Sequence, residues 1–138
     1  SEGWHGSFGA FSLSTLAMNH STTSPVLGLR IEAEGKSVAF TSDTARTDAV
    51  ARLAAGADLL VHDARHAATV EPRLPIQSRF HATARDAGEY AALAGARRLA
   101  LTHIGSEYLG RHAEMIAEAR TAFAGPVTAP SAGDMVDP

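Results

Sequence analysis

The 138-residue sequence has no cysteine, and that absence removes two kinds of site at once. No disulfide can staple the fold and no thiolate can hold a metal, so a bound metal ion would need His, Asp or Glu ligands. The same absence fits a reducing, cytoplasmic setting. Long apolar runs are missing too: stretches such as Ala57 to Val61 are far too short to span a bilayer, and Ser1 to Gly9 lacks the basic-then-apolar profile of a secretory signal. Nor is there a basic stripe. With 15 acidic against 12 basic residues the formal charge is -3, so a polyanionic partner must be gripped locally rather than attracted by net charge.

What the chain does have is 45% apolar residues, enough at this length to bury about two thirds of the unfolded surface in one domain spanning residues 1–138. Phe11, Leu13, Thr15 and Ala17 alternate with Ser12, Ser14 and Leu16, which predicts a strand. Val26 to Ala33, then Glu34-Gly35, then Ser37 to Thr41 reads as strand, turn, strand. Thr47 can cap a helix in which Val50, Leu53 and Ala54 share a face, with Gly56 ending the run before a buried strand over Ala57 to Val61. Thr83 and Asp86 have capping-box spacing, opening a helix that stops at Gly95 before a strand over Arg98 to Thr102. A third helix is expected from about Arg111 to Phe123, then short strands near Val127 and Met135. Helices and strands alternate after residue 44, which argues for an α/β layer structure. Between Ala64 and Phe80, Pro72, Pro75 and weak periodicity predict an active-site loop.

The seven histidines are His5, His20, His62, His66, His81, His103 and His112. His20 follows the first predicted strand, Asp43 comes two residues after the strand ending at Thr41, and His103 directly follows the strand ending at Thr102. Oxygen and nitrogen ligands at three strand ends could converge on one edge of a sheet, where α/β folds gather their sites. The ordinary alternative is a set of partly exposed polar strand ends, with Asp43 as a turn or cap residue. His62 and His66 stand four apart, the spacing of a helical metal pair, although His62 closes an apolar strand. His5 and His112 sit in polar contexts expected to be solvated, and Trp4 is expected to be a local packing anchor.

Six segments, taken in order, narrow the alternatives. Asn19-His20-Ser21, Pro25 to Ile31, Thr41-Ser42-Asp43-Thr44, Gly56 to Ala64, His81-Ala82-Thr83-Ala84 and Leu101-Thr102-His103-Ile104 resemble the ordered motifs of ribonuclease Z and its relatives in the metallo-β-lactamase superfamily. The resemblance runs from about Phe8 to Val136 and covers only the second half of that fold. It implies half of an αββα sandwich, a mixed sheet with helices on one face. In that family two zinc ions share an aspartate and a hydroxide, so the resemblance implies that Asp43 bridges, His20 binds one ion and His103 the other, with manganese as an alternative metal. It further implies that Asp63 orients His81 as the general acid for the leaving oxygen.

The family's His-x-His-x-Asp-His segment is absent: no two histidines here are spaced by two. Each metal would then keep one histidine and a share of Asp43, fewer ligands than a catalytic zinc needs. The resemblance therefore implies a companion N-terminal half carrying that segment, or self-association, because half a sandwich leaves a sheet face bare. Ser42 stands where relatives usually have glycine, Phe80 precedes His81 where glycine is common, and Asp63 is one methylene shorter than the usual glutamate. The function expected is metal-dependent hydrolysis, with RNA or a small phosphodiester as substrate. The alternatives are a small-molecule ester or lactone hydrolase on the same scaffold and a non-catalytic dimerising half-domain.

Overall fold

Short strands with alternating polarity open the chain, and in the computed structural model, which describes residues 3–21, 23–69 and 80–138, they form an antiparallel meander. It consists of β1 (His5–Phe8), β2 (Phe11–Ala17), β3 (Leu27–Ala33) and β4 (Lys36–Phe40). The β3–β4 hairpin turns on Glu34 and Gly35, both with positive φ (52° and 75°), the twist a two-residue hairpin needs. Three parallel strands follow, β5 (Leu59–Asp63), β6 (Arg98–Thr102) and β7 (Val127–Thr128), and the seven-stranded mixed sheet keeps the order of the sequence.

Helix α1 (Asp48–Leu53) links β4 to β5, α2 (Ala84–Ala94) links β5 to β6, and α3 (His112–Ala119) links β6 to β7 after a 3-10 turn at Ser106–Tyr108. Each parallel crossover steps in the same direction along the sheet, so right-handed connections put all three helices on one face. Thr47 caps α1 and Thr83 with Asp86 forms the full capping box of α2, as their spacing predicts. Gly95 ends α2 in the left-handed region at φ 66° and donates to the carbonyls of Ala91 and Ala92. The core lies between helices and sheet: Ala39, Leu60, Leu99 and Leu101 pack beneath Leu53, Ala87, Ala91, Met115 and Ala119.

Several boundaries differ from the sequence expectation. Helix α1 ends at Leu53, well short of Gly56, and α3 stops at Ala119, where turn hydrogen bonds carry the chain on to a buried Phe123. No strand forms at Met135; Ser131 and Asp134 close a turn there, and Met135 is 92% exposed. Strand β1 went unpredicted because four residues with two small ones carry too little alternation, and its place comes from pairing with β2. Most of the expected loop between Ala64 and Phe80, including Pro72 and Pro75, lies outside the described residues. Among the described residues, no helix is long and apolar enough to cross a membrane.

The two faces of the sheet differ in chemistry. Gly28 and Arg30 of β3 face the helices: a Cβ on Gly28 would meet the Leu53 side chain, and Arg30 donates to the carbonyls of Leu53 and Ala55. The intervening residues Leu27, Leu29 and Ile31 therefore face away, and cross-strand partners share that face. Leu13 pairs with Ile31, Phe40 with Leu29, and Phe8 with Phe11, while the Trp4 ring lies against Gly6 and 5.9 Å from Phe8. Trp4, Phe8, Phe11, Leu27, Ile31 and Phe40 are each between 37% and 61% exposed, so the face opposite the helices is a broad bare apolar surface.

Helix α2 packs on α3 at Gly88, where an added Cβ would stand 2.3 Å from the carbonyl oxygen of Ala119. Gly88→Ala should gain about 1 kcal/mol of helix propensity and lose more through the forced separation of the two helices, for a net destabilisation of about 1–2 kcal/mol. A urea unfolding midpoint that rises in this variant would refute the close approach.

Candidate active site

Parallel strands deliver their C-terminal ends to one edge of the sheet, and the chain uses that edge repeatedly. Asp63 ends β5, His103 directly follows β6, and Asp43 lies in the turn after β4. Because β2 and β4 are both antiparallel to β3, they run the same way, which brings His20 to the same edge. His81 arrives from the other direction, three residues before α2.

Asp63 is fully buried at the centre. Its Oδ2 accepts from the backbone N–H of Thr44 and from His81 Nδ1, both at 2.9 Å, and its Oδ1 accepts from the backbone N–H of Arg65 at 3.1 Å. The shorter carboxylate thus leaves no gap to His81. His103 Nδ1 is 3.1 Å from Asp43 Oδ1 and 3.6 Å from Asp63 Oδ1. The His81 ring stands between those of His20 and His103, with centroids 4.9 Å and 4.8 Å away. His20 Nδ1 donates to the Phe80 carbonyl at 3.0 Å, an arrangement that selects the tautomer with an unprotonated Nε2, the form a metal ligand requires.

Asp43, Asp63, His81 and His103 each offer one ligand atom, and those four atoms lie within 4.8 Å of one another. Two of the four carry the metal role implied by the sequence and two the acid role. His20 stands outside this group but beside His81. The donors are oxygen and nitrogen only, suited to zinc or manganese, and the Asp43 and His103 side chains are 44% and 41% exposed, open to an ion.

Backbone geometry sharpens the edge. Among the described non-glycine residues, only Glu34, Ser42 and His103 have positive φ, and the latter two, both at 55°, flank or belong to the site. Such a conformation costs about 1–2 kcal/mol per residue. At Ser42 a glycine would adopt the same backbone without strain, and the serine is held there by its hydroxyl donating to the Leu27 carbonyl at 2.9 Å.

The remaining histidines go elsewhere. His62 faces the helices, stacked on Tyr90 with centroids 5.8 Å apart and rings 13° from parallel, its Nδ1 donating to the Asp63 carbonyl at 2.6 Å. His66 bridges to Thr83 and lies 6.3 Å from the His81 ring, so His62 and His66 occupy different surroundings and form no metal pair among the described residues. His5 is exposed, and His112 is half-buried at the start of α3. What the sequence could not indicate is the role of Thr44 and Arg65, whose backbone N–H groups anchor Asp63 and leave no side-chain signature.

The description "Beta-lactamase superfamily domain" belongs to a family model that matches residues 4–104. The chain is 41% identical over 103 residues to the Ribonuclease Z of Halorubrum lacusprofundi, covering 75% of this chain and 33% of that protein. It is 47% identical over 91 residues to the Ribonuclease Z of Geobacillus kaustophilus, covering 65% of this chain and 29% of that protein. The chain therefore spans about a third of the length of these relatives. Among solved structures, the metallo-β-lactamase fold protein YhfI of Bacillus subtilis superposes with a TM-score of 0.82 at 27% identity, over 95% of this chain and 51% of that one. Human tRNase Z, short form, superposes with a TM-score of 0.66 at 23% identity, over 77% of this chain and 40% of that one, a likeness of fold.

Burial lowers the pKa of His62 below its ordinary 6.5, outweighing the opposing contribution of the Asp63 carbonyl. Below pH 6.5 the unfolded chain takes up a proton that the folded chain refuses, so stability should stay level above pH 6.5 and fall as the pH drops from 6.5 towards the lowered value. Urea midpoints measured from about pH 8 to about pH 5 should show that acid slope, and His62→Phe, which keeps the stacking, should flatten it. Equal slopes in both proteins would show that His62 is not the group responsible.

Proposed function

The chain belongs to the metallo-β-lactamase superfamily and is ribonuclease Z-like, and from that premise we propose that it supplies the second half of a metal-dependent phosphodiesterase site. The convergence of Asp43, Asp63, His81 and His103 within 4.8 Å carries the reading. In it Asp43 would be shared between two divalent ions, with His20 and His103 each holding one of them. Zinc is the first choice and manganese the second. The paired ions, when bound, supply acidity to an attacking water and countercharge to the phosphoryl oxygens.

The chain's own residues then handle the leaving group. The buried Asp63 carboxylate accepts a hydrogen bond from His81 Nδ1 at 2.9 Å, which orients the ring. The opposite ring nitrogen, Nε2, then gives its proton to the departing oxygen. The substrate proposed is RNA or a small phosphodiester, on the strength of relatives named Ribonuclease Z. The missing ligands come from an N-terminal half bearing His-x-His-x-Asp-His, seated on the bare face formed by Trp4, Phe8, Phe11, Leu27, Ile31 and Phe40.

The intact protein should hydrolyse bis(p-nitrophenyl) phosphate in preference to a panel of lactones, and His81→Ala should lower kcat by about 10²-fold or more. Undiminished turnover in that variant would remove His81 as the acid, and preference for a lactone would replace the substrate class. Metal analysis after dialysis against zinc should find the ion in the wild type and much less in Asp43→Ala; a metal-free wild type would defeat the reading. By itself, the 1–138 chain should self-associate in gel filtration with light scattering, or bind a fragment carrying the histidine-rich segment. A compact, stable monomer indifferent to that fragment would show that the bare face needs no cover.

A further inference from the structure

Asp43, His81 and His20 sit on three separate loops, and one residue that no motif singles out touches what holds each of them. Arg46 lies three residues beyond Asp43. Its Nη1 donates to Asp86 and, at 2.7 Å, to Glu89 Oε2, two carboxylates one turn apart on α2. Asp86 closes the capping box of that helix, its Oδ2 accepting from the backbone N–H at 2.9 Å and the hydroxyl at 2.8 Å of the N-cap Thr83, two residues after His81. The Arg46 guanidinium also lies 5.4 Å above the Tyr90 ring, the ring that stacks on His62 beside Asp63.

The backbone of the same segment is tied in the other direction. The Arg46 carbonyl accepts from Asn19 Nδ2 at 3.2 Å, and the Asn19 carbonyl accepts from the Ala45 N–H at 2.7 Å, which fixes the residue before His20. Next to it, the Thr44 N–H holds Asp63 at 2.9 Å. One six-residue segment, 41–46, therefore joins the His20 turn, the Asp43 turn, buried Asp63 and the capped start of α2.

We propose that Arg46 is a positioning residue, a clamp that locks the Asp43 segment to the helix cap behind His81 and thereby fixes the proton donor relative to the rest of the site. The inference rests on the phosphodiesterase reading for its catalytic consequence, but not for its structural one. Its side chain is 56% exposed, and ion pairs so exposed contribute little to global stability. A clamp of this kind therefore shows itself in geometry rather than in melting. One guanidinium nitrogen serves both carboxylates while the planar group lies over the Tyr90 ring, an arrangement that the compact ammonium of lysine reproduces only in part.

The test compares the intact wild-type protein with Arg46→Met, which keeps the aliphatic stem, Arg46→Lys and Glu89→Gln. The first readout is the Nδ1–H proton of His81, hydrogen-bonded to buried Asp63, in the nuclear magnetic resonance spectrum, assigned by its loss in His81→Gln. Arg46→Met should broaden or abolish this resonance while shifting the thermal midpoint by only a few degrees; Arg46→Lys should restore it in part. Glu89→Gln, the milder change, should broaden it measurably. The second readout is turnover of bis(p-nitrophenyl) phosphate, where Arg46→Met should lower kcat about tenfold with KM nearly unchanged. A sharp, unshifted His81 resonance in Arg46→Met, or in Glu89→Gln should the former not fold, overturns the clamp whatever the turnover. If the wild type shows no phosphodiester turnover the functional reading fails, and the resonance still decides the role of Arg46.

Discussion

A carboxylate with no solvent access has to be satisfied by the protein around it, and at Asp63 that requirement organises the site. Left unpaired, a buried carboxylate would cost several kcal/mol. Here the Thr44 and Arg65 backbone N–H groups and the His81 ring supply the partners. Each partner comes from a different stretch of chain, so satisfying one charge draws the end of β4, the end of β5 and the approach to α2 into a single arrangement. The close grouping of Asp43 and His103 around it follows from that arrangement together with the left-handed turn at His103.

The strain at Ser42 and His103 is the cost of aiming side chains along the sheet edge instead of across the sheet. It is offset by the parallel core, where Leu60, Leu99 and Leu101 are almost wholly buried beneath alanine-rich helices. Small residues on α2 and α3 let the helices sit close, with Gly88 against the Ala119 carbonyl. The close-packed side of the molecule is thus the helical side, and the site opens at the strand ends.

The opposite face follows another logic. Strands β1 to β3 turn Ser12, Ser14, Arg30 and Glu32 to the helical side together with Leu16, and most of their large apolar residues away from it. That pattern is the reverse of what a lone layered domain would use, since α1 reaches only part of this region. The polarity makes sense if the apolar side is the one meant for burial.

Periodicity and capping chemistry made most elements legible: the β3–β4 hairpin came from Glu34-Gly35, α2 from Thr83, Asp86 and Gly95, and β5 from its apolar run. Local rules failed where the deciding contact is distant, as for β1, which exists through its pairing with β2, and at Met135, where an Asp134 turn replaces a strand. Ordered motifs were enough to point to His20, Asp43, Asp63, His81 and His103 as the residues to watch, because their neighbours are written in the chain itself. The pairing of Asp63 with His81 was implied by the resemblance, but its hydrogen-bond geometry, the turn of His62 away to Tyr90 and the reach of Arg46 across to α2 were decided only by the tertiary structure. Those contacts join residues 18 to 43 positions apart, and direction in space has no counterpart in a linear pattern.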